Sequence, residues 1–270
     1  FEPEYRFDGT GRLIGASSRP ETPSHALVEE YMLAANEAVA AYLVQRRARA
    51  IYRVHEPPDA RSADGLLAAL DELGVPTPPF PEKDTASAEQ VAAALRRLSE
   101  TLPSFCARER RGRLAFPHLL LRSLKQARYA PQNLGHFGLA SSAYLHFTSP
   151  IRRYPDLVVH RALCAHLGLD GGELDDAVLS AVAEHCSTQE RTIARLELKA
   201  DDVALAFLLD DLLAEQGWDT VFEGEIVGLL GSGVFVHFGG AYQGFLPSRS
   251  LGDERFYESP TGVTLVGSAT

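Results

Sequence analysis

The sequence predicts an α+β fold: a mostly helical body followed by a small β-barrel. Three observations carry this prediction. Apolar residues recur at helical spacing through most of the first 216 residues. From about Leu174 to Glu215 that pattern runs with almost no breaker. From Trp218 onward the period becomes two, in short segments (VFEGEIVGLL, VFVHF, YQGFLP) split by glycine turns. The boundary falls at 216–218, giving a body over 1–216 and a β module over 217–270. With 270 residues, 45% of them hydrophobic, the chain has material for one large or two smaller domains.

Each element has its own signal. EYRFDGTGRLIGAS reads as a hairpin turning at Asp8-Gly9-Thr10-Gly11. Ser24 starts a helix with the apolar stripe Leu27, Val28, Tyr31, Met32, Ala35, Val39, Tyr42 and Leu43. Arg46, Arg47 and Arg49 suit the negative end of its dipole. IYRVHEPPD is an extended connector. Residues 60–73 predict a second helix, stopped by Gly74, and PTPPFPEKDTA a proline-rich surface loop. Helices follow over 87–100 and 117–129, and YAPQNLGHFGLASSAY is looser. The pattern over 174–215 predicts a long helix with a kink or short gap.

Composition excludes several classes. Charged residues make up an ordinary 23%. No apolar run reaches the roughly 20 residues that span a bilayer, so no membrane partner is expected. FEPEYRFDGTG has neither the basic start nor the apolar core of a signal peptide. Cys106, Cys164 and Cys186 are odd in number and lack metal spacing, which predicts reduced thiols in a cytoplasmic protein. A net charge of −10 argues against indiscriminate coating of nucleic acid. Arginines nevertheless cluster, most densely with histidines at HFTSPIRRYPDLVVHR, residues 146–161.

There, Ser149-Pro150 reads as a helix N-cap with proline at the first helical position. Arg152 and Arg153 then fall in the first turn. That end already carries about half a positive charge and several free backbone N–H groups. Two guanidinium forks beside it suit a phosphate. Asp156 offers the competing partner. It satisfies one arginine comfortably and leaves the other to face a ligand phosphate.

The segment His136-Phe137-Gly138-Leu139, then Tyr144-Leu145-His146-Phe147-Thr148-Ser149-Pro150-Ile151-Arg152-Arg153-Tyr154-Pro155-Asp156 with His160 and Arg161, strongly resembles the RNB-domain signature of the ribonuclease II/ribonuclease R exoribonucleases. Residues 29–36 (EEYMLAAN), LLLRSLKQARYAP and CSTQER, starting at Cys186, resemble further RNB segments. The β-rich tail resembles an S1 RNA-binding domain of the OB-fold class. The resemblance implies 3′-to-5′ hydrolysis of single-stranded RNA to nucleoside monophosphates, with Mg²⁺ as cofactor and single-stranded RNA as partner of a monomeric protein. The family holds its metals with an aspartate cluster near the start of the domain, and no such spacing occurs here. Asp201-Asp202 and Asp210-Asp211 read instead as solvated helix faces or caps. The chain thus resembles the C-terminal portion of a larger exoribonuclease, starting mid-domain and stopping short of a five-stranded S1 barrel. It is expected to be inactive by itself, with Mg²⁺ bound mainly by residues upstream and no metal ligands in this segment.

Matched residue by residue, the resemblance gives Arg152 the catalytic role of stabilising charge on the scissile phosphate. Arg153 would hold an adjacent phosphate or the backbone of the fold. Glu29 matches a carboxylate that accepts a ribose 2′-hydroxyl, a donor that only RNA offers; a plain surface acid is the alternative. Glu197 matches a second carboxylate near the active site or lies on a solvated face. Tyr144 and Phe147 stack bases or belong to the core. His136, His146 and His160, unevenly spaced, read as hydrogen-bonded structural groups rather than metal ligands. Phe235 and His237 alternate onto one face of a strand, with Val234, Val236 and Phe238 on the other, as an RNA platform. Pro247 stands where the family commonly has a histidine, and Arg249 is placed to compensate.

Two other readings stay open. One is a non-catalytic RNA-binding or regulatory relative that keeps the RNB scaffold without its aspartates. The other is a helical scaffold with a β module for protein partners. Closely spaced aspartates just upstream of Phe1 would mark the nuclease; their lack would mark the binder.

Overall fold

A computed structural model describes residues 3–18, 22–81 and 85–268. The chain forms two compact units, each assembled from separate stretches. One comprises Pro20–Glu56 and Lys125–Ala200; the other comprises Phe1–Arg19, Pro57–Leu124 and Asp201–Thr270.

The Pro20–Glu56/Lys125–Ala200 unit is built on a short antiparallel pair, β3 (Tyr52–Val54) with β4 (Arg128–Ala130). Strand alternation sends Tyr52, Val54 and Ala130 into a cluster with Ala40, Leu43, Leu145 and Val159. Ile51 and Tyr129 go to the opposite cluster with Val158, Leu179 and Ala183. Apart from Leu145, which lies in the irregular segment before α5, three helices supply those partners: α1 (Pro23–Gln45), α5 (Tyr154–His166) and the start of α6 (Asp176–Gln216). Val158 and Val159 are adjacent on α5 and enter different clusters, so this helix ties both sides together.

Several helix boundaries differ from the sequence expectation. α1 begins at Pro23, one residue early, because Thr22 caps it in a capping box with His25. Its stripe is only half used: Leu27, Val28 and Tyr31 are exposed, and burial starts at Asn36. It ends at Gln45, so Arg46, Arg47 and Arg49 follow the helix, with Arg46 stacked 3.6 Å over Tyr42. The expected helix over 117–129 is α4 (Ala115–Ser123), followed by β4. Pairing with β3 wins there because it buries Tyr129 and Ala130. α6 is one continuous helix of 41 residues, without the expected gap.

In the other unit, β1 (Pro3–Phe7) and β2 (Leu13–Ser18) form the expected hairpin. Asp8 holds the turn by accepting from the Thr10 and Arg12 backbone N–H groups and the Thr10 hydroxyl. The hairpin is tied to α6 by Tyr5 donating to Asp201 at 2.7 Å and Arg12 pairing with Asp211 at 2.9 Å. Asp202, Asp210 and Asp211 lie on a solvated face as expected, while part-buried Asp201 also serves as a tether for the hairpin. α2 (Ala60–Glu72) starts from an Asp59 cap and stops before Gly74 (φ 71°), much as expected. Of the proline-rich loop over 76–86, residues 82–84 lie outside the described residues. α3 (Ala88–Glu109) runs nine residues past its expected end and through Pro103. An interior proline costs about 3 kcal/mol. Burying Leu102, Phe105 and Cys106 on the face that already holds Leu95 and Leu98 offsets this.

The tail is β-structured as expected. β5 (Gly224–Leu230), β6 (Gly233–Phe238) and β7 (Tyr242–Pro247) form a three-stranded antiparallel sheet, and β8 (Phe256–Glu258) and β9 (Leu265–Gly267) a separate hairpin. No closed barrel occurs among the described residues; the fold is a mixture of helices and small sheets. Cys106, Cys164 and Cys186 are free. No helix among the described residues is long and apolar enough to cross a membrane.

Candidate active site

The segment from Tyr144 to Asp156 has little regular structure, so its backbone groups need partners from elsewhere. Asn36, buried on α1, supplies two. Its side chain donates to the Tyr144 hydroxyl at 2.9 Å and accepts the Phe147 N–H at 2.9 Å. His160 on α5 bonds the Phe147 carbonyl through Nε2 at 2.8 Å and stacks on the Phe147 ring at 4.1 Å. Ser149 N–H donates to Asp156 at 2.8 Å, and Ser149 carbonyl accepts from Arg152 and Arg153 N–H at 3.3 and 3.1 Å.

This last turn corrects the expected helix start. Ser149 is not a cap. α5 begins at Tyr154 with Pro155, not Pro150, in its first turn, and Arg153 occupies the cap position in extended conformation. Arg152 and Arg153 therefore precede the helix rather than lying within its first turn. The cause is Asp156. Fully buried at the third helical position, it draws back both Ser149 N–H and the Arg153 side chain, the latter at 2.8 Å. The chain has to turn before it can coil. As expected, one arginine pairs with Asp156: it is Arg153. Arg152 is exposed, and its guanidinium has no ion-pair partner among the described residues.

Behind this turn lies a cluster of rings. Tyr129 hydroxyl and His146 Nδ1 are 2.9 Å apart, and His146 meets Tyr144, which meets His136, which meets His55, all edge-on within 6 Å. Arg53 lies 4.8 Å over Tyr129 and pairs with Glu190 at 2.6 Å. Burial, with help from nearby arginines, holds the His146 pKa down at about 3; burial and His55 hold His136 at about 4. Burial raises Tyr129 to about 12. These imidazoles are neutral near pH 7 and supply no cation. The positive charge here belongs to arginines, and of Arg53, Arg152 and Arg153 only Arg152 lacks a carboxylate.

The other expected site residues fall as follows. Tyr144 is 6% exposed and hydrogen-bonded, so its ring is core and presents no face to a base, a correction to the stacking expectation. Phe147 stacks on His160, which occupies one of its faces. Glu29 is exposed on α1, and Glu197 is exposed on α6. Phe235 lies 5.0 Å from Phe245 across the β6–β7 register, and His237 faces Gln243 in the same ladder. Among the described residues, no group of three or more His, Cys, Asp or Glu is arranged to hold a metal ion. Sequence reasoning missed Asn36, Arg53 and Glu190. Asn36 had a signal: it is a lone polar residue in helical register with Met32, Ala40 and Leu43. Arg53 and Glu190 had none, being 137 residues apart.

A mostly helical frame and a pinned SPIRR turn thus present Arg152 to solvent without a carboxylate partner among the described residues. Comparison with known proteins gives the class: residues 1–168 match the RNB domain, and the chain belongs to the RNB-domain family of ribonuclease II/R exoribonucleases. It is 35% identical over 259 residues to ribonuclease R of Aquifex aeolicus, covering 92% of this chain and 33% of that protein. It is 31% identical over 285 residues to ribonuclease R of Escherichia coli, covering 100% and 32%. Mycoplasma genitalium RNase R, solved in complex with ribose-methylated single-stranded RNA, superposes with a TM-score of 0.79 at 29% identity, covering 100% of this chain and 40% of that one. The chain thus spans about a third of the length of the ribonucleases R it matches.

Proposed function

We propose that this chain is the phosphate-gripping portion of a 3′-to-5′ exoribonuclease that hydrolyses single-stranded RNA to nucleoside monophosphates and acts as a monomer. The observation that carries this reading is Arg152, exposed and without a carboxylate in a turn whose neighbour Arg153 is already paired. A free guanidinium fork held by a fixed turn suits the charge that develops on a phosphate under attack. The RNA-bound relative supports RNA as ligand. Glu29 would accept a ribose 2′-hydroxyl, and Glu197 would lie near the strand. Residues 217–270 would act as an S1-like, OB-class module, with Phe235 and His237 toward RNA.

Mg²⁺ belongs to this proposal on chemical grounds: a divalent ion lowers the pKa of bound water and neutralises phosphate charge. Among the described residues no three His, Cys, Asp or Glu side chains are arranged to hold it, so most of its ligands would lie outside them.

The test is Arg152→Lys in the complete protein. Lysine keeps the charge and loses the two-pronged geometry. Single-turnover decay of a labelled oligonucleotide should slow about 10²-fold, roughly 3 kcal/mol. Affinity in Ca²⁺, spread over many phosphates, should barely move. Equal losses of rate and binding would make Arg152 a plain tether. A wild-type protein that binds RNA without cleaving it would be a non-catalytic relative.

A further inference from the structure

Among the described residues, Asp156 is the only buried carboxylate, at 0% exposure. Taking a carboxylate out of water costs several kcal/mol unless it is well paired. The pairing here is partial. Oδ1 takes both bonds, from Ser149 N–H and Arg153 Nη2, each at 2.8 Å. Asp156 Oδ2 and Arg153 Nε are both buried without a hydrogen-bond partner. As a stabiliser of α5 this is a poor arrangement. As a clamp it is effective. One oxygen fixes the residue that opens the turn and the residue that closes it, and Ser149 carbonyl holds the backbone between them. Ile151, at 102% exposure, and Arg152 are what the clamp leaves projecting.

We infer that Asp156 and Arg153 are a positioning pair: Arg153 spends its guanidinium on Asp156 instead of on RNA, and together they aim Arg152. This gives Arg153 the second of its two expected roles, holding the fold rather than an adjacent phosphate, and it rests on the reading of Arg152 as the phosphate-stabilising group. Misplacement of a reacting group by about 1 Å is enough to cost about 10²-fold in rate.

The test uses the complete protein with Asp156→Asn, Arg152→Lys and the double variant. Single-turnover rate in Mg²⁺, RNA affinity in Ca²⁺ and thermal midpoint are measured for each. Asp156→Asn should slow the reaction about 10²-fold and leave affinity within about twofold. The double variant should be no slower than Arg152→Lys alone, because both changes disable one group. Multiplying losses would mean that Asp156 acts independently of Arg152, and the proposal would fall. If Asp156→Asn does not fold, Arg153→Lys decides. It keeps the buried charge with one donor and should slow the reaction about tenfold at unchanged affinity. Weaker RNA binding with a salt dependence reduced by about one phosphate contact, at an unaltered saturated rate, would make Arg153 an RNA ligand instead. An inactive wild type would remove the reading of Arg152 itself; an active wild type with multiplying losses removes only the positioning pair.

Discussion

At the scale of the residue, exposure separates side chains that sequence alone left equivalent. Glu29 is open to solvent on α1 and free to meet a ligand. If it accepts a ribose 2′-hydroxyl, Glu29→Ala in the complete protein should weaken RNA binding by about 1.5–3 kcal/mol and leave DNA binding nearly unchanged. Parallel titrations with matched RNA and DNA oligonucleotides check this; equal losses would mean a structural role. Tyr144 has the opposite profile. Tyr144→Phe should leave RNA affinity alone but cost about 1–3 kcal/mol of stability, because the buried Asn36 amide loses its acceptor. Urea unfolding measures it, and a loss of RNA affinity at wild-type stability would instead give the Tyr144 hydroxyl a part in RNA binding.

Elements here depend on partners distant in sequence for what they cannot supply themselves. α4 begins at Ala115, and Leu114 in the cap position offers no side-chain cap. Glu225 on β5 fills the gap, accepting the Leu114 and Ala115 N–H groups at 3.1 and 3.0 Å. A carboxylate there also meets the positive end of the helix dipole. Likewise Glu72, on α2, accepts from the hydroxyls of Thr261 and Thr264 in the β8–β9 segment. In the sequence α4 reads as starting near 117 and continuing to 129, because neither its borrowed cap nor its competing strand pairing is local. Glu225→Ala should destabilise the protein by about 1 kcal/mol, and Glu225→Gln by less, since the amide oxygen still accepts. Thermal unfolding of both variants checks the order; equal effects would show that the cap bonds contribute nothing.

For the molecule as a whole, the buried imidazoles set a dependence on acid. Above pH 6.5 the rings are neutral in both folded and unfolded chains. As pH falls below 6.5 the unfolded chain takes up protons that the folded one refuses until about 4 at His136 and about 3 at His146. Stability is therefore full above 6.5 and declines as pH drops toward these values. Each histidine adds at most about 1.4 kcal/mol per pH unit to the slope. Between pH 6.5 and about 5.5 few carboxylates titrate, so denaturant midpoints across that window report mainly the histidines. His146→Gln should flatten the curve there. An unaltered slope would mean that His146 protonates without opposition from burial.

What the sequence determined by itself is whatever repeats or caps locally. The change of period after Trp218 places the strands, Asp8-Gly9-Thr10-Gly11 fixes the first hairpin, and Asp59 with Gly74 brackets α2. The HFTSPIRRYPD segment fixes the family. Tertiary structure decided the rest: that Arg153 and not Arg152 takes Asp156, that α5 starts at Tyr154, that Tyr144 is core, and that Asp201 and Asp211 hold a hairpin. Arg53 meets Glu190 across 137 residues, and Asn36 meets Tyr144 across 108. The physical reason is the range of the forces involved. Dihedral preference and capping act within a few residues and leave a local pattern. A partner for a buried charge is chosen by what packing brings within about 3 Å, and no spacing along the chain records that choice.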